Sequence, residues 1–216
     1  MKNKRIMAER KNKSILQIIA QIFSDLFSPI MMPTYMIAFA VWTTPLVVIP
    51  EKVRLIVVAI VFVICSVIPT AVIVSLIRLG KVGDVSLSER KERTLPYIVS
   101  VLCYVGAAIY LSCIRAPFWL ADFYIGAAVT SFLALLITFR WKISAHAAAV
   151  GGFASAVTWL AISHALLSSP LLWLSAVYLI CGIVGSSRLI LGRHDAPQVF
   201  AGYLLGAASV YITLAL

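Results

Sequence analysis

Uninterrupted apolar runs long enough to cross a bilayer recur along most of this sequence, and they leave few folds open. Residues 31–49, 53–77, 96–114, 121–139, 147–167, 171–191 and 199–216 each form such a run. A helix needs about 17–25 apolar residues to traverse a hydrocarbon core. Inside lipid the backbone must satisfy its own hydrogen bonds, which restricts spanning structure to helices and closed barrels. The runs are continuous rather than alternating, and this selects the helix. Composition agrees, since 62% of the residues are hydrophobic and 12% charged, against about 45–50% and 25% in soluble domains. The expected fold class is all-α, a polytopic transmembrane helical bundle of about six to seven spans occupying residues 31–216.

The first 30 residues read differently. Lys2, Lys4, Arg5, Arg10, Lys11 and Lys13 make the start basic. Beyond them, Ile15, Ile18, Ile19, Ile22, Phe23 and Leu26 recur at helical spacing, interrupted by Gln17, Gln21, Ser24 and Asp25. This pattern predicts an amphipathic helix in the membrane interface rather than a cleavable signal peptide.

The net charge of +10 sits at the N-terminus and between apolar runs, without interleaved aromatics. It therefore indicates membrane orientation and contact with anionic membrane lipids, not a nucleic-acid partner. Cys65, Cys103, Cys113 and Cys181 all lie within apolar spans and lack metal-ligand spacing, so we read them as small core residues. Pro33, Pro45 and Pro69 predict kinks in the first two spans. Gly202 and Gly206 form a G-x-x-x-G that lets the last span pack closely, although a Gly- and Ala-rich span also produces this pattern by chance.

Seven crossings send alternate connections to alternate faces. The face holding the N-terminus and segments 78–95, 140–146 and 192–198 collects 15 of the 18 Lys and Arg, Arg188 included, leaving Lys52, Arg54 and Arg115 opposite. The positive-inside rule makes the first face cytoplasmic. The same alternation brings three polar clusters to that face. One contains Arg90 and Arg93, three apart on a helical turn ahead of Pro96. The second is Lys142-Ile-Ser144-Ala-His146. The third runs from Ser187 and Arg188 through Arg193, His194 and Asp195 to Gln198.

Two histidines and several arginines converging on one face suit phosphoryl transfer. Guanidinium offers paired donors to phosphate oxygens. One imidazole can attack phosphorus while a second protonates the departing oxygen. Cations at span ends also serve as topology signals or snorkelling anchors. Asp195 and Gln198, three apart around Pro197, also read as a helix-opening capping box.

Ser187-Arg188-x5-His194 and Ser144-Ala-His146 resemble the type 2 phosphatidic acid phosphatase family, whose superfamily includes the vanadium haloperoxidases. The family pattern is K-x6-R-P, then P-S-G-H, then S-R-x5-H-x3-D. The third motif matches at Ser187, Arg188 and His194, and the second at Ser144 and His146, with Ala145 for Gly and Ile143 for Pro. The resemblance implies that His194 is a nucleophile forming a phosphohistidine and His146 the acid, then the base. It implies that Arg188 clamps the phosphate and that Ser144 and Ser187 help to bind it. The first motif departs: Leu95 precedes Pro96, Ser88 stands in the Lys position, and Arg90 and Arg93 supply charge from shifted positions. Gln198 replaces the Asp that orients the nucleophile; an amide oxygen fixes the tautomer but does not stabilise an imidazolium as a carboxylate does.

The resulting expectation is a phosphatase of a lipid phosphate or diphosphate, needing neither metal nor cofactor, in a bacterial inner membrane. Phosphatidic acid, phosphatidylglycerol phosphate, polyprenyl diphosphate and lipid A phosphate all remain open as substrates. Bacterial members of the family commonly carry the site outside the cytoplasm, opposite to the charge count. The rival expectation is a non-catalytic protein that binds or transports anionic lipid on the same face. A channel or transporter finds little support, as no span carries a row of mid-membrane charges. His164 lies about 18 residues, roughly 27 Å of helix, from His146 and is expected to be structural.

Overall fold

A computed structural model of the protein describes residues 14–80 and 94–216. Among these residues there are eight helices and no strand, and the protein is a polytopic helical bundle. Helix α1 spans Ile15–Leu26 and opens on a capping box. The Ser14 hydroxyl accepts from the Gln17 amide at 3.3 Å, and the Gln17 side chain accepts from the Ser14 amide at 3.2 Å. Its amphipathicity is turned outward: Ile15 and Ile22 are 77% and 59% exposed, whereas Ala20 and Ser24 are buried against the bundle. A helix bathed in lipid gains nothing by hiding isoleucine, so its small and polar stripe takes the protein side.

The first apolar run is not one long helix. Helix α2 covers only Met32–Thr43, about 18 Å of rise, and a 3₁₀ turn follows at Pro45–Val48. The run nevertheless crosses the bundle. Ile30 and Met31 lie at the end where α1 finishes, while the Thr43 carbonyl accepts from the Leu167 amide at the opposite end. The missing helix length is residues 27–31, held open by Pro29 and Pro33. Hydroxyls from neighbouring helices meet the carbonyls this releases. Tyr35 donates to the Leu26 carbonyl at 2.9 Å, Tyr104 to Pro29 at 3.3 Å and Ser66 to Ile30 at 2.8 Å, and Tyr124 adds a bond to the Pro33 carbonyl in the first turn of α2 at 2.7 Å. Irregular backbone at membrane depth persists only where protein satisfies it.

Six helices have the length and apolarity to span a membrane: α3 (Glu51–Arg78), α4 (Thr94–Cys113), α5 (Phe118–Thr138), α6 (Ala145–Ile162), α7 (Pro170–Ile190) and α8 (Ala196–Ala215). Within α3 a π turn at Val63–Val67 precedes Pro69. Such a turn accommodates a proline that cannot donate to the preceding carbonyl, and it brings Ser66 inward to Ile30. At the far end Arg54 donates to the carbonyls of Ile49 and Val41 and lies 5.2 Å over the Trp42 ring, a structural anchor. Cys65 and Cys103 are buried, but Cys113 is exposed at the end of α4, contrary to the core reading. It sits on the outer surface of the bundle, where lipid accepts a thiol as readily as a core does.

The most extensive contact is between α6 and α8. A Cβ at Gly202 would stand 2.6 Å from the Ser144 carbonyl, and one at Gly206 would run into the Ala148 carbonyl. The G-x-x-x-G is therefore a packing device, matched on α6 by Gly151, where a Cβ would stand 2.7 Å from the Tyr203 carbonyl. Gly206→Ala is expected to cost about 1–3 kcal/mol through overpacking, read as a lower unfolding temperature in detergent. Tyr124→Phe removes the buried hydrogen bond to the Pro33 carbonyl and is expected to cost about 0.5–1.5 kcal/mol in the same assay.

Candidate functional site

At the end of the bundle where α1, α3 and α7 finish and α4, α6 and α8 begin, a cavity of about 570 Å³ opens. That volume falls in the range of small-molecule sites, about 300–1,000 Å³. Three elements carry the chemistry. Helix α6 starts at Ser144, whose hydroxyl accepts from the Ala147 amide at 3.3 Å. This places His146 in the first turn, at the cavity wall. Helix α7 ends with Arg188 in its last turn. Gly192, at a φ of +60°, then reverses the chain, and the Arg193 amide donates back to the Arg188 carbonyl at 3.1 Å. The reversal returns Arg193 and His194 to the same cavity as Arg188.

Arg188 and His194 are 6% and 8% exposed. A guanidinium withdrawn this far from water has to be met by acceptors. One is the Ser24 hydroxyl at the end of α1, 2.6 Å from the Arg188 Nη1. The Ser24 carbonyl lies 3.1 Å from the Nε2 of His146. A carbonyl can only accept, so the network assigns the proton of His146 to Nε2.

His194 has the opposite tautomer. Its Nδ1 lies 2.8 Å from the Oε1 of Gln198. The orientation of that amide is fixed, because Gln198 Nε2 donates to Asp195 Oδ2 at 2.8 Å. Asp195 also caps α8, its Oδ1 accepting from the Gln198 amide at 2.9 Å. Oε1 is therefore an acceptor and Nδ1 carries the proton, which leaves the ring lone pair of a neutral His194 on Nε2. The carboxylate polarises the amide and makes Oε1 a stronger acceptor. Only half of a capping box forms here, since the Gln198 side chain turns to Asp195 and His194 instead of the cap backbone.

Of the residues expected from sequence, His146, Arg188 and His194 line the cavity together, and Gln198 stands directly behind His194. Arg90 and Arg93 lie outside the described residues. The flank of their motif does reach the site, as Pro96 and Tyr97 line the cavity. Ser144 and Ser187 do not line it. Ser144 is fully buried as a helix cap, and the Ser187 hydroxyl donates to the Ile183 carbonyl at 2.7 Å. Both small hydroxyls bond to backbone within their own helix or its cap. His164 stands beyond the far end of α6 and is not part of the cavity.

Sequence reasoning placed Arg193 in the third cluster without a role at the site, and it missed the whole contribution of α1: Gln21, Ser24, Asp25 and the Ser28 that follows also line the cavity. Gln17, Gln21 and Ser24 recur at the spacing of a single helical face, and that polar stripe was the available signal. Among the described residues, the charged groups of the cavity wall are Arg188 and Arg193 against Asp25, beside the two imidazoles.

Comparison with protein-family models, with curated proteins and with solved structures gives no match. The phosphatase resemblance thus rests on the motif residues alone. The tautomers can be measured: ¹⁵N spectra of histidine-labelled protein are expected to show His194 protonated on Nδ1 and His146 on Nε2. Asp195→Ala removes the cap and frees the Gln198 amide to flip; it is expected to mix the His194 tautomers and to cost about 0.5–2 kcal/mol of stability.

Proposed function

We propose that the protein is a membrane-embedded phosphatase of a lipid phosphate or diphosphate, working through a phosphohistidine without a metal. One observation carries this reading. The Asp195–Gln198–His194 chain of hydrogen bonds holds His194 with its lone pair on Nε2, in a cavity whose wall also contains a buried guanidinium and a second imidazole protonated on Nε2.

In the proposed reaction a phosphate monoester or diphosphate enters from the lipid phase with its headgroup in the cavity. Arg188 binds its oxygens in the two-point manner that guanidinium allows. The Nε2 of His194 attacks phosphorus, an N–P bond forms, and the bond from phosphorus to the leaving oxygen breaks. His146, protonated on both ring nitrogens when the step begins, gives its Nε2 proton to that oxygen and becomes a neutral imidazole, so a neutral alcohol, or the lipid monophosphate from a diphosphate, departs. A water then enters; His146 takes its proton, the hydroxide oxygen attacks phosphorus, and the N–P bond breaks to release inorganic phosphate and restore neutral His194. Gln198 holds the ring throughout. As a neutral amide it stabilises the developing imidazolium less than a carboxylate, and the ionised partner is one bond further away, at Asp195.

The test is phosphate release from a panel of lipid phosphates and diphosphates by the purified protein and its variants. His194→Ala is expected to reduce release by about a thousandfold or more, as loss of a nucleophile does. His146→Ala is expected to reduce it by about 10²–10⁴-fold, the usual contribution of a general acid–base. Equal release by wild type and His194→Ala ends the nucleophile assignment; no release by wild type from any member of the panel leaves the non-catalytic lipid-binding reading.

A further inference from the structure

Ser24 is 1% exposed on a helix whose neighbouring positions, Ile22 and Leu26, are 59% and 49% exposed. It presents two acceptors to the two groups that the proposed reaction assigns to the phosphate. Its hydroxyl receives Arg188 Nη1 at 2.6 Å, and its carbonyl receives the Nε2 proton of His146 at 3.1 Å. The carbonyl belongs to the last turn of α1, where helix carbonyls lack an intrahelical partner. The macrodipole adds about half a negative charge at that end. The end of α1 therefore offers the clamp and the proton donor a weak anion, with oxygens where a substrate would bring phosphate oxygens.

We propose that Ser24 occupies the phosphate subsite of the resting protein, and that substrate binds by displacing the end of α1 from Arg188 and His146. This rests on the phosphatase reading above. A phosphate dianion makes stronger hydrogen bonds to guanidinium and imidazole than a neutral hydroxyl and an amide carbonyl do, so the exchange runs toward substrate. The fold leaves room for it. Helix α1 packs chiefly on α7, and residues 27–31 join it to α2 without helix; moving its end breaks the Tyr35 bond to the Leu26 carbonyl, while the Tyr104 and Ser66 bonds to Pro29 and Ile30 hold the connection on which it turns. Its isoleucine face lies against lipid and is not lost when it moves. Ser24 thus acts through Arg188 and His146 as a positioning residue, and it does not touch the reacting atoms in the bound state.

Orthovanadate, which mimics pentavalent phosphorus, is the probe, with phosphate release from the lipid panel as the readout. Ser24→Ala removes one charge-assisted bond from the closed state only. Half-inhibition by vanadate is expected at about tenfold lower concentration than in wild type, the equivalent of about 1.4 kcal/mol. A Ser24→Ala protein that is inhibited at the same or higher vanadate, while both proteins release phosphate, overturns the displacement and leaves the phosphatase standing. Absence of release and of vanadate binding in both overturns the phosphatase reading and the displacement with it. A second measurement is independent of turnover. In a Cys113→Ala background, Ser24→Cys is expected to react faster with a soluble maleimide when saturating vanadate is present. A rate that is unchanged or slowed overturns the displacement.

Discussion

The contact between α6 and α8 holds the candidate site together. Gly202 and Gly206 on one helix and Gly151 on the other let two backbones approach to a separation that a single added methyl would prevent. Dispersion between closely packed small residues supplies the attraction in lipid, where hydrophobic association is absent. The approach is close enough for a backbone bond between the helices, from the Ser144 amide to the Gln198 carbonyl at 3.2 Å. That bond sets the start of α6 beside the start of α8. His146, two residues beyond Ser144, and His194, four before Gln198, are placed at one height in the bundle by this pairing.

The second constraint is the need to satisfy polar groups away from water. The break at 27–31 exposes carbonyls that Tyr35, Tyr104 and Ser66 each meet with a hydroxyl. The π turn of α3 is part of this arrangement, since it turns Ser66 toward Ile30 and Thr34. The same requirement shapes the site itself. A buried guanidinium and an imidazole draw the end of α1 down onto them, and a glutamine is held between a carboxylate and a histidine. The polar groups of the break and of the candidate site follow one rule here: a buried donor is brought to an acceptor, at these positions on another element.

Much of this was legible in the sequence because lipid imposes simple patterns. Six of the seven apolar runs became spanning helices with ends shifted by a few residues. The seventh, at 31–49, crosses with a short helix and an irregular segment, because Pro29 and Pro33 remove donors and the neighbouring tyrosines make the loss tolerable. The gathering of His146, Arg188 and His194 followed from the alternation of spans. The partnership of Gln198 with His194 was visible as a four-residue spacing at the start of a helix. The inward face of α1 was not legible, since a helix lying in the membrane interface is expected to turn its polar stripe to water. In lipid the polar stripe is the face that packs.

By itself, the sequence determined that the chain is a bundle of membrane-crossing helices and that its ionisable groups collect at one end. Run length and charge position are local properties, and the bilayer turns them directly into topology. Only the tertiary structure decided which of those groups share a cavity, which nitrogen of each histidine holds its proton, and that Ser24 lies against both Arg188 and His146. These depend on distances of about 3 Å between elements far apart in the chain, and such distances are set by the packing of glycines and the pairing of buried donors, which no local pattern encodes.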